Sequence, residues 1–305
     1  MINNENQKSA FIAIVGRPNV GKSSILNRIL GQKIAIVSSK PQTTRTRITG
    51  ILTQGDTQLV FIDTPGMHKP KNELGKYMVR SVTESVAGVD MCLLVTEAGK
   101  EITPTEENLM KRFSEQKIPA VLAINKIDTV KEKDVLLAQI LSYSKKFDFD
   151  AIVPVSAETD QGLEDLIGEL KNHAQPGGHF FEDDTLTDQP ERVIAAEMIR
   201  EKILRLCEKE IPHGTAVVIE KLRQREDSEI LDIDATIYCE KESHKRIIIG
   251  KNGAMIKKIS TFARQDMENF FGCKVNLQTW LKVKEGWRNR SGVLKNFGFD
   301  PKDFD

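Results

Sequence analysis

The chain has 305 residues, and its 44 lysines and arginines are balanced by 44 acidic residues, so the formal net charge is zero. That length predicts two domains rather than one core. No apolar run approaches the ~18 residues of a membrane span, and the polar N-terminus lacks the apolar stretch of a signal peptide. The four cysteines are dispersed with no CxxC pair, which excludes a zinc ribbon or a disulfide framework and predicts a cytosolic protein.

Residues 8–175 are predicted to form one α/β domain. Continuously apolar strands that alternate with helices are typical of a parallel sheet covered on both faces. The strand-like runs are 11–15, 57–63, 91–97, 119–125 and 151–157. A further run meets 57–63 at Gly55-Asp56, which predicts a hairpin and one antiparallel strand in a six-stranded, mostly parallel sheet. Helices are predicted to begin near Lys22, Leu74, Pro104, Glu132 and Leu163.

The stretch GRPNVGKS at 16–23 follows a predicted strand, opens a predicted helix and matches the GxxxxGK[ST] phosphate loop. Main-chain N–H groups of such a loop curl round phosphates. Lys22 is predicted to reach the β- and γ-phosphates, and the Ser23 hydroxyl to bind Mg²⁺. The predicted nucleotide contacts in this stretch are Gly16, Arg17, Pro18, Asn19, Val20, Gly21, Lys22, Ser23 and Ser24.

Three further motifs, DTPG (63–66), NKID (125–128) and VSA (155–157), stand at the ends of predicted strands, where such sheets bind ligands. The Asp128 carboxylate can accept hydrogen bonds from guanine N1–H and the 2-amino group together, which adenine cannot offer. Asp63 is predicted to hold Mg²⁺ through water, so the set predicts a GTP site. The other predicted contacts are Thr64, Pro65, the Gly66 N–H at the γ-phosphate, Asn125 at the base edge, Lys126 over the ring, Ser156, and the Ala157 N–H at guanine O6.

A threonine between the first helix and the second strand must supply a second hydroxyl to Mg²⁺ when the γ-phosphate is present. The segment 32–48 carries Thr43, Thr44 and Thr46. From their positions alone, any of the three could serve.

The glycine-rich and acidic stretch 176–190 predicts a linker, followed by a second domain at 191–290 and a tail at 291–305. A helical period over 191–210 precedes two strand-like runs, the turn GKNG, a helix from 254 to about 271 and a last strand at 274–283. The order α-β-β-α-α-β is that of a type II KH module, an α+β fold that binds single-stranded RNA.

The turn GKNG at 250–253 cannot be a second phosphate loop, because only two residues separate its glycines. It does match the GxxG loop that clamps about four nucleotides in KH modules. Glycines let the main chain approach phosphates, Lys251 supplies charge, and the apolar residues 247–249 with Ile256 would form a floor for splayed bases. The predicted RNA contacts are Ile249, Gly250, Lys251, Asn252, Gly253, Lys257 and Lys258.

The charge of this region supports an RNA partner. Between residues 241 and 295 there are 13 lysines and arginines against four acidic residues. The neutral chain therefore carries a basic C-terminal region, as expected for contact with a nucleic-acid backbone. Trp280 and Trp287 could stack on bases, although Trp280 lies in a strand pattern that equally suits a core position.

Taken together, GRPNVGKS, PQTTRTR, DTPGMH, NKID, VSA and the domain bearing GKNG resemble the bacterial Era GTPases over roughly residues 10–285. The resemblance implies that Thr44 is the Mg²⁺-binding threonine and that Lys22, Thr44 and Gly66 serve catalysis. It implies switch segments at 38–48 and 63–75, coupled to binding of the 3′ end of small-subunit (16S) ribosomal RNA during assembly of that subunit.

The position after DTPG holds Met67 instead of the water-orienting glutamine of small signalling GTPases, so slow intrinsic hydrolysis is expected. His68 follows and is predicted to be solvated rather than catalytic. In related potassium-dependent GTPases, an asparagine at the Asn19 position helps to hold K⁺ against the phosphates. The alternative is that Asn19 only accommodates a tight turn.

Three alternatives remain open at this stage. A GTPase of tRNA modification would require a catalytic cysteine or cofactor module that the cysteine pattern does not provide. An RNA chaperone with a vestigial nucleotide site would not need intact Lys22, Ser23, Asp63 and Asp128. A peripheral role on the inner face of the cell membrane is compatible with the basic region, because anionic lipids and RNA attract the same charges. A monomer is the default expectation.

Overall fold

The protein is described here by a computed structural model that covers residues 6–40, 42–66, 72–86 and 88–299. Two compact units are present. The first comprises the described residues within 1–35, 44–69 and 78–188, and the second those within 36–43, 70–77 and 189–305. Among these residues, no helix has both the length and the apolar character to cross a bilayer.

The first unit contains a sheet of strands β1 (Lys8–Gly16), β2 (Ile48–Gln54), β3 (Thr57–Asp63), β4 (Met91–Glu97), β5 (Ala120–Asn125) and β6 (Ala151–Pro154). Its helices are α1 (Lys22–Leu30), α2 (Glu73–Val86) from residue 78 onward, α3 (Pro104–Gln116), α4 (Lys133–Ser144) and α5 (Leu163–Lys171). The strand order is β2-β3-β1-β4-β5-β6, and along this path only β2 runs antiparallel. The predicted sheet and the hairpin at Gly55-Asp56 are confirmed.

Burial on both faces explains why these strands are apolar throughout. Cys92 and Leu94 of β4 pack with residues of α3 and α4 on one face, and Leu93 and Val95, which point to the opposite face, are also fully buried. Because β1, β3, β4, β5 and β6 run parallel, their C-terminal ends share one edge of the sheet. The four sequence motifs stand at this edge.

The segment predicted as a linker, 176–190, packs against the first unit up to residue 188. It begins in a two-residue strand, β7 (Gln175–Pro176), which pairs antiparallel with β1. The buried side chain of Gln58 then accepts the main-chain N–H groups of Phe180 and Phe181 at 2.8 and 3.0 Å. These contacts join residues far apart in sequence, and composition alone did not predict them.

The second unit contains α6 (Glu191–Leu206), β8 (Ala216–Gln224), β9 (Ile230–Cys239), α7 (Glu242–Ile249), α8 (Ala254–Phe271), β10 (Lys274–Val283) and α9 (Ser291–Asn296). The sheet order is β10-β9-β8, with β9 antiparallel to β8 and parallel to β10. The predicted α-β-β-α-α-β order is therefore confirmed. Apolar residues of α6 and α8 pack on the inner face of this sheet.

Two short segments complete the second unit. The chain at 36–43 lies along α6, where the buried Glu201 accepts the Val37 N–H at 2.9 Å. At the other end, the described part of the predicted tail forms α9 and an aromatic cluster. The ring of Phe297 lies 4.6 Å from Tyr238 and 5.3 Å from Trp287. Residues 291–299 thus pack as part of the unit.

Candidate functional site

The phosphate loop joins the end of β1 to the start of α1, and its main chain requires glycine at two positions. Gly16 has φ +144°, and a Cβ there would lie 2.3 Å from the carbonyl oxygen of Val95. Gly21 has φ +101°, and its Cβ would lie 2.1 Å from Asn125 Nδ2. Asn19 also has a left-handed conformation, with φ 65°, which asparagine tolerates better than most residues. The loop is therefore shaped by these residue types.

Lys22 lies inside the curl of the loop and is nearly fully buried. Its Nζ donates to the carbonyl oxygens of Gly16 at 3.2 Å and Arg17 at 3.0 Å. Burial lowers the pKa of Lys22 to about 8, and the nearby Asp63 carboxylate opposes this shift. A cation held in so enclosed a loop is suited to an anionic group that can replace the carbonyl contacts.

Three oxygen-bearing side chains converge beside Lys22. The Ser23 hydroxyl donates to Asp63 Oδ2 at 2.5 Å and lies 3.0 Å from Thr44 Oγ1. Thr44 Oγ1 is 3.5 Å from the same carboxylate oxygen. By contrast, Thr43 Oγ1 donates to the carbonyl of Lys40 at 2.7 Å. Of the candidate threonines, the structure thus places Thr44 beside Ser23 and Asp63.

The Asp63 carboxyl is fully buried, and its Oδ1 has no hydrogen-bond partner among the described residues. Burial raises the pKa of Asp63 to about 6, although Lys22 and the hydroxyls of Ser23 and Thr44 oppose the increase. A buried carboxylate oxygen without a partner is costly unless a cation compensates for it. Carboxylate and hydroxyl oxygens are the ligands of hard cations, so Ser23, Thr44 and Asp63 fit Mg²⁺.

The remainder of DTPG lies against the phosphate loop. The buried Thr64 hydroxyl donates to the Ile14 carbonyl at 2.8 Å, which fixes the end of β3 to β1. A Cβ on Gly66 would lie 2.7 Å from Pro18 Cα, so the main chain can approach the loop only at a glycine. Met67 and His68 lie outside the described residues.

The predicted base-recognition residues are brought together by a hydrogen-bond network. Asn125 donates through Nδ2 to the Val20 carbonyl at 2.8 Å and accepts the Ala157 N–H through Oδ1 at 3.1 Å. The Ser156 hydroxyl donates to Asp128 Oδ1 at 2.5 Å. Asn125 therefore connects the phosphate loop to the VSA loop, and Ser156 orients the carboxylate predicted to read guanine.

Two acidic residues that the motifs did not identify support this site. Lys126 Nζ donates to Glu97 Oε2 at 2.8 Å, which holds its stem along the edge of the sheet. Glu106 is fully buried and accepts from Arg17 Nε at 3.0 Å and Thr96 Oγ1 at 3.1 Å. Glu106 stands three residues after Thr103, a capping-box spacing visible in the sequence, but its bond to Arg17 is long-range.

In the second unit, the GKNG turn joins α7 to α8 in the strained main-chain form that its glycines permit. Gly250 has φ 72° and ψ 177°, and a Cβ there would lie 2.7 Å from Met255 Cβ. Asn252 has φ 51°. Lys251 and Asn252 are exposed, and so are Lys257 and Lys258 on α8, while Ile249 is half-buried.

Two interpretations from the sequence require correction. Ile248 is fully buried in the core of the second unit, so it cannot belong to an apolar floor for bases, whereas Ile247 is 50% exposed. Trp287 is also fully buried, and its indole N–H donates to the Gly214 carbonyl at 3.0 Å, so it cannot stack on RNA. Trp280 is 45% exposed, because its position on β10 faces away from α8.

Comparison with known families agrees with a nucleotide site in the first unit and a KH module in the second. A family model described as "50S ribosome-binding GTPase" matches residues 11–126, and a "KH domain" model matches residues 210–288. A protein named GTPase Era from Clostridioides difficile is 49% identical over 295 residues, which is 97% of this chain and 99% of the relative. GTPase Era from Ruminiclostridium cellulolyticum is 49% identical over 292 residues, covering 96% of this chain and 97% of the relative.

Two solved structures are similar over nearly the full length. One is an Aquifex aeolicus Era variant bound to GDP and AlF4⁻, with 36% identity and a TM-score of 0.92, covering 96% of this chain and all of that one. The other is Era in complex with MgGDPNP and nucleotides 1506–1542 of 16S ribosomal RNA, also with 36% identity and a TM-score of 0.92, covering 96% and 99%. The resemblance read from the motifs is confirmed, and the chain belongs to the Era family of GTPases.

Proposed function

We propose that this protein binds Mg²⁺ and GTP, hydrolyses GTP to GDP and phosphate, and couples its nucleotide state to binding of the 3′ end of 16S ribosomal RNA during small-subunit assembly. One observation carries the proposal. A phosphate loop with a buried lysine and a converged oxygen cluster occupies one unit, and a GxxG turn with an exposed lysine occupies the other. The similar Era structure that contains MgGDPNP and a 16S fragment supports the same pairing.

Within the nucleotide site, each residue has a distinct task. Ser23, Thr44 and Asp63 would hold Mg²⁺, which supplies positive charge to the phosphates. Lys22 exchanges its bonds to the Gly16 and Arg17 carbonyls for bonds to phosphate oxygens, and an anionic partner favours its protonated form. The Gly66 N–H is proposed to meet the γ-phosphate, because this glycine packs against Pro18 of the loop.

Potassium is a finer part of the proposal. Asn19 would contribute its side-chain oxygen to a K⁺ ion beside the phosphates, compensating for the absence of a glutamine at position 67. Its left-handed conformation equally suits the tight turn of the loop. Hydrolysis rates measured in potassium and in sodium chloride test this assignment. Equal rates would remove the ion from the mechanism.

The RNA partner follows from the GKNG turn rather than from charge alone. Its exposed Lys251 and glycine-shaped main chain permit close approach to a phosphodiester chain, a contact that an anionic membrane surface does not need. The two lysines on the first turns of α8 add charge beside the turn. We therefore propose ribosomal RNA as the partner of this turn. We also propose, as a default expectation, a monomer in the cytosol.

The proposal is tested by binding of a short single-stranded RNA with the 16S 3′ sequence, in GDP and in a non-hydrolysable GTP analogue. A variant with Lys251→Asp and Asn252→Asp removes the clamp charge, and aspartate tolerates the left-handed conformation of Asn252. The control is Ser144→Asp with Lys145→Asp, an equal charge change at exposed positions of the other unit. We expect only the clamp variant to lose binding and the intact protein to distinguish the two nucleotides. Equal binding by all three proteins would contradict the RNA assignment.

A further inference from the structure

Arg28 reaches from the last turn of α1 to the loop that follows β6. Its Nε donates to the Ala157 carbonyl at 2.9 Å, and its NH2 donates to the Glu158 carbonyl at 3.1 Å. The same guanidinium lies 3.3 Å from Asp160 Oδ1. One side chain therefore holds three acceptors of the loop 156–161, which contains Ala157, whose N–H is predicted to meet guanine O6.

This loop depends on side-chain contacts for its shape. Asp160 has φ 64°, a conformation that costs free energy in most residues. The Ser156 N–H donates to the Gln161 carbonyl at 2.9 Å, which closes the loop on itself. Asn125 holds the Ala157 N–H from the β5 side, and Arg28 holds the Ala157 carbonyl from the α1 side. Both faces of the Ala157 peptide region are thereby tied to other elements.

The position of Arg28 on α1 connects the two ends of the nucleotide site. The same helix begins with Lys22 and Ser23, which are predicted to contact the phosphates and the metal. Because an α-helix is rigid over nine residues, the carbonyls bound by Arg28 are held at a fixed distance from the phosphate loop. The loop 156–161 and the phosphate loop are therefore held at a fixed spacing before the nucleotide binds.

The contribution of Arg28 is geometric rather than a large stabilisation. Its side chain is 48% exposed and that of Asp160 is 62% exposed, so the ion pair itself adds little to folding. The two bonds to successive carbonyls fix the geometry of the loop, because the planar guanidinium of arginine donates to two acceptors at once. Lysine cannot reproduce that pattern.

We propose that Arg28 is a positioning residue for guanine recognition. It holds the Ala157 peptide where its N–H, which donates to Asn125 Oδ1 at 3.1 Å in this structure, can donate to O6 of the base instead when guanine is bound. This inference rests on the proposed binding of guanine nucleotides. Arg28 lies outside the four sequence motifs, so the proposal assigns part of the specificity for guanine to helix α1, which follows the phosphate loop.

The test compares GDP with 6-thio-GDP, which differs only at the atom that the Ala157 N–H would meet. We expect Arg28→Ala to accelerate GDP dissociation about tenfold and to reduce the preference for GDP over 6-thio-GDP by a similar factor. Arg28→Lys should recover part of the preference, because it can reach one carbonyl. The KM for GTP should rise more than kcat changes, since the reacting phosphates are far from the base.

Arg112→Ala is the matched control, because Arg112 is an arginine of the same unit whose NH1 donates to Thr83 Oγ1 at 3.3 Å and that lies outside the predicted nucleotide site. It should retain the dissociation rate and the preference of the intact protein. A uniform loss of affinity for both nucleotides in Arg28→Ala would show a merely structural role and overturn the proposal, as would an unchanged preference. Should Arg28→Ala fail to fold, Arg28→Lys provides the test. A reduced preference for GDP over 6-thio-GDP in that variant would support the proposal, and an unchanged preference would overturn it. Absence of GDP binding by the intact protein would instead contradict the proposed function.

Discussion

The two glycine-lysine turns of this protein use the same residue types for different tasks. In the turn at 16–23, Lys22 is buried near Asp63, and its Nζ donates to the carbonyls of Gly16 and Arg17. In the turn at 250–253, Lys251 is exposed at the junction of two helices. Enclosure makes the first turn selective for a compact, highly charged group, whereas exposure lets the second lie along an extended chain. The surroundings of the lysine, more than its identity, separate the two functions.

The largest expected effect comes from removing the enclosed lysine. Lys22→Ala should weaken GTP binding by about 100-fold, because a hydrogen bond to a charged group contributes roughly 1.5–3 kcal/mol. The matching change at the other turn, Lys251→Ala, should leave GTP affinity within about twofold of the intact protein and weaken only RNA binding. Calorimetric titration with a GTP analogue measures the nucleotide affinity of each variant, and fluorescence titration measures its affinity for the RNA. Similar losses of GTP affinity in the two variants would show that enclosure of Lys22 does not separate the two turns.

A smaller effect is expected when glycines of the exposed turn are replaced. Gly250→Ala should lower the free energy of unfolding by about 2–3 kcal/mol, since its φ and ψ are nearly exclusive to glycine and its Cβ would overlap Met255. Gly253→Ala should cost only about 1 kcal/mol, because its Cβ would enter open space. Urea unfolding monitored by circular dichroism compares them. Equal losses would indicate that the turn relaxes around position 250.

The smallest effect concerns pH and the enclosed turn. Without nucleotide and magnesium, Asp63 binds its proton more tightly in the native state, with a pKa of about 6, than in the unfolded chain at 3.8. The native state therefore loses stability as pH rises from about 4 to about 6, by about 1–2 kcal/mol. Asp63→Asn should flatten this part of the curve. Unfolding in urea between pH 4 and pH 7 checks the difference, and parallel curves for the two proteins would refute it.

Local motifs carried much of the prediction. The phosphate loop, the GKNG turn and the order of strands and helices follow from short-range spacing and from apolar periodicity, so they could be read directly. Helices predicted near Lys22, Pro104 and Leu163 begin at those residues. The family could likewise be recognised, because its motifs are contiguous runs with a fixed order.

Long-range contacts decided the rest. The positions alone left Thr43, Thr44 and Thr46 open, and the family resemblance implied Thr44. The structure agrees with that choice, because Thr44 converges with Ser23 and Asp63 in space. Trp280 was ambiguous, because an alternating strand pattern does not say which face a neighbouring segment covers, and Trp287 was expected to be able to stack on bases. The structure exposes Trp280 and buries Trp287.

The supporting residues Glu106 and Arg28 had no recognisable signal for their roles. Each acts on a partner more than 80 residues away, Arg17 in one case and Ala157 in the other. The sequence by itself determined which segments are assigned to phosphate and to RNA, because glycine geometry and lysine charge are local properties. Only the tertiary structure decided which side chains orient those segments, because hydrogen bonds between distant residues depend on how the strands and helices pack.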